Sequence, residues 1–189
     1  MKRIAILASG AGSNADNILN HFKYSNELSV VLIASNKPDA GVLEVANRHD
    51  VATYILTKEN FQESSDFADY LSSLGVDMVV LAGFLWKVPP AFVQAFHQRI
   101  INVHPSLLPK FGGKGMYGHH VHEAVHAAGE SESGITIHYV NEHYDEGAII
   151  AQFKTALNPN DAVSDIERKV RALELAHFPE VVQELLTVC

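Results

Sequence analysis

The chain has 189 residues, 47% hydrophobic and 19% charged, and its 14 Lys and Arg against 22 Asp and Glu leave a formal net charge of −8. That balance argues against a surface built mainly to neutralise nucleic-acid phosphates, which needs clustered cations, but leaves room for a small anion in a local pocket. No apolar run approaches the ~20 residues of a membrane span, and the lone cysteine, Cys189, is the last residue and sits in no metal or redox motif. One domain over 1–189 in the cytoplasm is expected, with no nucleic-acid or membrane partner.

The apolar run 4–8 predicts a buried first strand and not a leader, because it enters the glycine turn Ser9-Gly10-Ala11-Gly12 directly. A helix over 13–22, a strand over 28–34, a helix over 42–49 and a short strand over 52–55 follow. A continuous helix is predicted over 60–74 from the apolar positions Phe61, Phe67, Ala68, Tyr70 and Leu71, closed by Gly75. Residues 77–82 read as a buried strand, Pro89-Pro90 open a short helix, and 99–103 form the next strand. A Pro- and Gly-rich segment over 104–118 precedes a helix over 119–128, strands over 134–140 and 148–155, and a final helix over 162–186. Strands alternating with helices, the strands continuously apolar, predict an α/β fold: a Rossmann-like, mostly parallel sheet with helices on both faces.

Three features carry chemistry. The glycine turn between the first strand and first helix lets a ligand approach the backbone, and the helix N-terminus offers free N–H groups to an anion. It fits the dinucleotide pattern G-x-G-x-x-A, yet Ser35-Asn36-Lys37 stand where an acidic ribose ligand is needed. A single phosphate is therefore the preferred reading, and a plain capped turn the bland one. Asn102 and His104 stand two apart at a strand end, so both side chains share a face at the carboxyl edge, where open parallel sheets bind ligands. An amide donor beside an imidazole suits an oxyanion formed in acyl transfer. No G-x-S-x-G elbow is present, which favours direct attack by a substrate amine. Such an attack also requires a base, and the loop 141–147 offers carboxylates, with Asp145 either a turn residue or a site residue that holds His104 or a water.

His122-Glu123-Ala124-Val125-His126 matches the zinc-hydrolase motif letter for letter. With eleven histidines in the chain and a parallel α/β pattern around it, a partly solvated helix face is the better reading, and no metal is expected.

The segments SGAGSNADNI, VVLAGFLW, INVHPSLLPKFGGKGMYG and ITIHYVNEHYDEGAII resemble, in order and over most of the chain, the folate-dependent phosphoribosylglycinamide formyltransferase family. The resemblance implies the formyltransferase fold and transfer of the formyl group of 10-formyltetrahydrofolate to the amine of 5-phosphoribosylglycinamide in purine synthesis. It implies a catalytic trio of Asn102, His104 and Asp145, with His138 as supporting neighbour. Gly12, Ser13 and Asn14 would hold the acceptor's phosphate, and Arg171 and Glu174 its phosphoribosyl part. Leu85, Trp86, Lys87 and Val88, with Asn102, Asn141, Glu142, His143, Tyr144 and Asp145, would hold the pterin. Many members carry Arg where this chain has Trp86 and another near Ser64, so the resemblance supplies no contact for the folate's glutamate tail. The loop 110–118 resembles one branch of the family, and a monomer or homodimer is expected. The competing readings are a formyltetrahydrofolate deformylase or an enzyme with another amine acceptor, a non-catalytic nucleotide- or folate-binding module, and remotely a zinc hydrolase.

Overall fold

The computed structural model describes residues 1–187; Cys189 lies outside them. Five parallel strands, β1 (Lys2–Leu7), β2 (Leu28–Ser35), β3 (Ala52–Ile55), β4 (Met78–Leu81) and β5 (Ile100–His104), are extended by β6 (Glu132–Tyr139) and β7 (Ile149–Ala156). The order across the sheet is β3-β2-β1-β4-β5-β6-β7, with β6 antiparallel to β5 and β7 antiparallel to β6. β4, and β1 beyond its exposed Lys2 and Arg3, are buried Ile, Val, Leu, Met and Ala, as strands covered on both faces must be.

One face packs under α1 (Ser13–Phe22), α2 (Gly41–Arg48), α5 (His119–Ala127) and the long α6 (Val163–Thr187), around Ile4, Ile6, Val80, Ile101 and Ile137. The other packs under α3 (Asp66–Ser73) and α4 (Pro90–Ala95), where Phe61, Phe67, Phe92 and Phe96 join Leu7, Leu32 and Val79. Phe67 and Phe92 stack at 5.7 Å and 9°. Burying a side chain of this size contributes about 1.5–3 kcal/mol.

The helix expected over 60–74 is interrupted. A π-helical turn covers Glu59–Glu63, Ser64 is extended at φ −136°, and α3 begins only at Asp66. Local hydrogen bonding wins here: Thr57 and Asn60 bond each other reciprocally, Ser64 Oγ accepts from Asp66 N, and Ser65 Oγ donates to Asp69. Side chains of this kind draw the backbone away from continuous helix. The other expected elements are present with ends displaced by one or two residues. At the far edge a register shift between Ile137 and His138 interrupts the β6–β7 pairing, the sort of bulge that re-aims a side chain near a site.

Candidate active site

The carboxyl ends of β1, β4 and β5 open into a cavity of about 750 Å³, walled by the glycine turn, the 83–88 and 113–118 segments, the loop after β6, and α5 and α6. Asn102 and His138 occupy the same rung of the β5–β6 ladder. Asn102 Nδ2 lies 3.1 Å from His138 Nε2, and His138 Nδ1 lies 2.9 Å from the carbonyl of Tyr139. A ring nitrogen facing a carbonyl must carry the hydrogen, so His138 donates from Nδ1 and accepts at Nε2. Its imidazole is 2% exposed, and burial pushes it below the ordinary histidine range, with the Tyr139 carbonyl and Asp145 opposing and His104 reinforcing the shift. The neutral ring therefore fixes the Asn102 amide by one of its two hydrogens.

His104 is 4% exposed; its Nε2–H donates to the Phe111 carbonyl at 2.8 Å and its Nδ1 faces Asp145 Oδ2 at 3.5 Å. Asp145 sits in left-handed backbone, φ 57°, accepts from the Gly113 N–H at 2.8 Å, and holds its other oxygen 3.7 Å from His138 Nε2. Gly147 anchors this loop: a Cβ there would meet the Tyr139 carbonyl oxygen at 1.6 Å. All three trio residues thus converge. The contact between His104 and Phe111 differs from the expectation, since it directs that N–H into the 110–118 loop and leaves Asn102 as the amide donor still free toward the cavity.

At the other end, Gly12, φ 82°, precedes α1 and supplies no side-chain cap, so the helix's first N–H groups remain available. Asn14 Nδ2 donates to Glu174 Oε2 at 2.9 Å, tying α1 to α6 beside Arg171. Burial pushes the Glu174 carboxyl up, with Asn14 and Arg171 opposing. Leu85, Trp86, Lys87 and Val88 form an apolar wall, with Trp86 stacked on Phe61 at 6.4 Å, and the Lys87 ammonium lies 5.7 Å from the Tyr144 ring centre. Asn141, His143 and Tyr144 line the cavity; Glu142 is exposed and stands outside the lining.

Sequence reasoning missed Ser9. Its buried hydroxyl donates to Asn36 Oδ1 at 2.6 Å and accepts from Leu85 N at 2.9 Å, so one side chain links three loops of the carboxyl edge. No local pattern marks such a residue, because its partners are distant in sequence. In the zinc-like motif, His122 is 5% exposed while His126 is exposed to solvent, and Glu123 contacts His119 and His120. Among the described residues no three His, Cys, Asp or Glu side chains gather as a metal site, and no helix is long and apolar enough to cross a membrane.

The formyl transferase family model matches residues 2–182. The chloroplastic phosphoribosylglycinamide formyltransferase of Arabidopsis thaliana is 41% identical over 96% of this chain, which spans 64% of that protein's length. The phosphoribosylglycinamide formyltransferase of Haemophilus influenzae is 36% identical, over 97% of this chain and 86% of its own. Among solved structures, glycinamide ribonucleotide transformylase 1 from Geobacillus kaustophilus superposes with a TM-score of 0.89 at 32% identity, over 98% of this chain and 99% of that one. The Bacillus halodurans phosphoribosylglycinamide formyltransferase gives 0.88 at 34% identity, over 98% and 96%. With sequence and fold agreeing over nearly its whole length, the chain belongs to the formyl transferase family, in the branch of the phosphoribosylglycinamide formyltransferases.

Proposed function

We propose that this chain transfers the formyl group of 10-formyltetrahydrofolate to the amine of 5-phosphoribosylglycinamide, leaving tetrahydrofolate. The folate donor is a co-substrate that supplies an activated formyl carbon. The observation that carries the reading is one cavity holding both an uncapped glycine-turn helix and the Asn102, His104 and Asp145 cluster. Gly12, Ser13 and Asn14 hold the acceptor's phosphate, and Arg171 and Glu174 hold the phosphoribosyl part. The wall Leu85, Trp86, Lys87 and Val88, with Asn141, His143 and Tyr144, takes the pterin. Both sets line the cavity that holds the cluster, so the amine and the formyl carbon meet beside Asn102.

The free amide hydrogen of Asn102 stabilises the formyl oxygen as the amine's nitrogen bonds to the formyl carbon. Asp145, held by the Gly113 N–H, receives the proton from the attacking amine directly or through a water, and that proton ends on the folate nitrogen as its bond to the formyl carbon breaks. His104 positions Asp145 and the loop that carries Gly113. No protein nucleophile enters. We read residues 1–189 as one cytoplasmic domain, supported by the single sheet that carries both hydrophobic clusters.

The test is turnover of purified protein with both substrates, following tetrahydrofolate and the formylated product separately. Wild-type protein is expected to form both in equal amounts; tetrahydrofolate released without formylated acceptor would instead assign a deformylase. Asn102→Ala is expected to lower kcat by ~10²–10³, the usual effect of losing one oxyanion donor, while its circular dichroism matches wild type.

A further inference from the structure

The reaction leaves His122 unused. Its ring, on α5, lines the cavity and is 5% exposed, and its Nδ1 is sealed from solvent without a hydrogen-bond partner. Burial holds the imidazole below the ordinary histidine range, opposed by Glu167 and reinforced by His119 and His104, so the ring is neutral and has one hydrogen to place. A sealed N–H with no acceptor is rarer in folded proteins than an under-used acceptor atom. The hydrogen therefore belongs on Nε2, leaving Nδ1 bare. The ring then has one donor to offer, and a polar group that the fold leaves short of partners calls for an explanation such as a ligand.

Its surroundings say which ligand. Glu167, Val170, Arg171 and Glu174 line the cavity along α6, where Glu174 accepts from Asn14 beside the glycine turn, and His122 lies within electrostatic reach of both Glu167 and His104. His122 thus stands between the glycine turn and the Asn102–His104 strand end. On the reading proposed above, that interval holds the sugar joining the phosphate to the glycinamide. We propose that His122 is a binding residue for the acceptor, donating from Nε2 to an oxygen of its phosphoribosyl moiety. The inference rests on that functional reading and adds a specificity contact to it.

The experiment compares wild type, His122→Phe and His122→Gln by thermal melting, alone and with ribose 5-phosphate, and by steady-state kinetics with both substrates. In ligand-free protein His122→Phe is expected to melt at or above the wild-type temperature, because removing an unsatisfied polar atom in favour of an apolar ring is neutral or stabilising. Its KM for the acceptor is expected to rise about tenfold, the equivalent of one net hydrogen bond. Its kcat and its KM for the folate stay near wild type, and ribose 5-phosphate raises its melting temperature less than it raises that of wild type. His122→Gln, which keeps a donor, recovers part of the loss. An unchanged acceptor KM in His122→Phe overturns the assignment, and so does a lower melting temperature with equal rises in KM for both substrates. If the wild type forms no formylated acceptor, the functional reading fails and this contact falls with it; an active wild type matched by His122→Phe removes the contact alone.

Discussion

In the proposed reaction Asn102 acts through an amide whose orientation comes from His138 on the neighbouring strand. His138 can accept from it only while neutral, and burial keeps it so by lowering its pKa from the ordinary 6.5. Acidification through that lowered value puts a hydrogen on Nε2, turns the acceptor into a donor, and draws the ring toward Asp145 Oδ1, 3.7 Å away. As far as this group is concerned, kcat is expected to be flat above pH 6.5 and to fall on the acid side with a midpoint below it. His138→Gln retains an acceptor that does not titrate; it should lower kcat by at most about tenfold, roughly one hydrogen bond, and abolish this acid limb. A kcat–pH profile of the two proteins decides the point: an unchanged limb in the variant removes His138 from its cause.

Among the elements, the turn into α1 is held by close backbone packing. Gly12 has φ 82°, and a Cβ there would lie 2.7 Å from the Val42 Cα, a backbone atom of α2 that cannot simply rotate aside. Gly12→Ala adds a left-handed penalty of about 1–2 kcal/mol to that clash. It should lower the melting temperature and raise the acceptor KM, while leaving folate binding nearly intact; unchanged acceptor KM would detach this turn from the phosphate. The turn was legible in the sequence because glycines between a strand and a helix leave few alternatives. The Asn102–His104 pair was legible because a strand's period of two is strict. Asp145 was ambiguous by local reasoning, since an Asp before Glu-Gly is also ordinary turn chemistry, and its contacts with Gly113 and His104 come from segments distant in sequence. The break at Ser64 was invisible to periodicity, because Phe61 before it and Phe67 and Leu71 after it are all buried in the same hydrophobic cluster.

Across the whole molecule, the buried histidines contribute to how the fold responds to mild acid. His122 and His138 both have lowered pKa values, so below 6.5 the unfolded chain takes up protons that the native state resists. Their contribution to stability is fully present above 6.5 and is lost as pH falls toward the native values. Glu174 has the opposite sign: its carboxyl is raised above 4.5, so its contribution is present at low pH and lost as pH rises through the native value. Denaturant unfolding at pH about 7.5 and about 5.5 is expected to give a lower midpoint at the more acid pH, and a smaller difference in His122→Phe. Equal sensitivity in the variant would show that His122 is not among the groups responsible.

The shared rung of Asn102 and His138 also makes activity a witness to assembly. β6 follows β5 only after the long 105–131 excursion, so its pairing closes late in the chain and across many residues. A slip of one position would swap the faces of the strand, bringing Ile137 or Tyr139 opposite Asn102 while much of the sheet stayed intact. Such a molecule would resemble the native one in secondary structure and yet be inert. The fraction of refolded protein that turns over substrate would therefore count correctly annealed β5–β6 edges, a quantity that circular dichroism does not see.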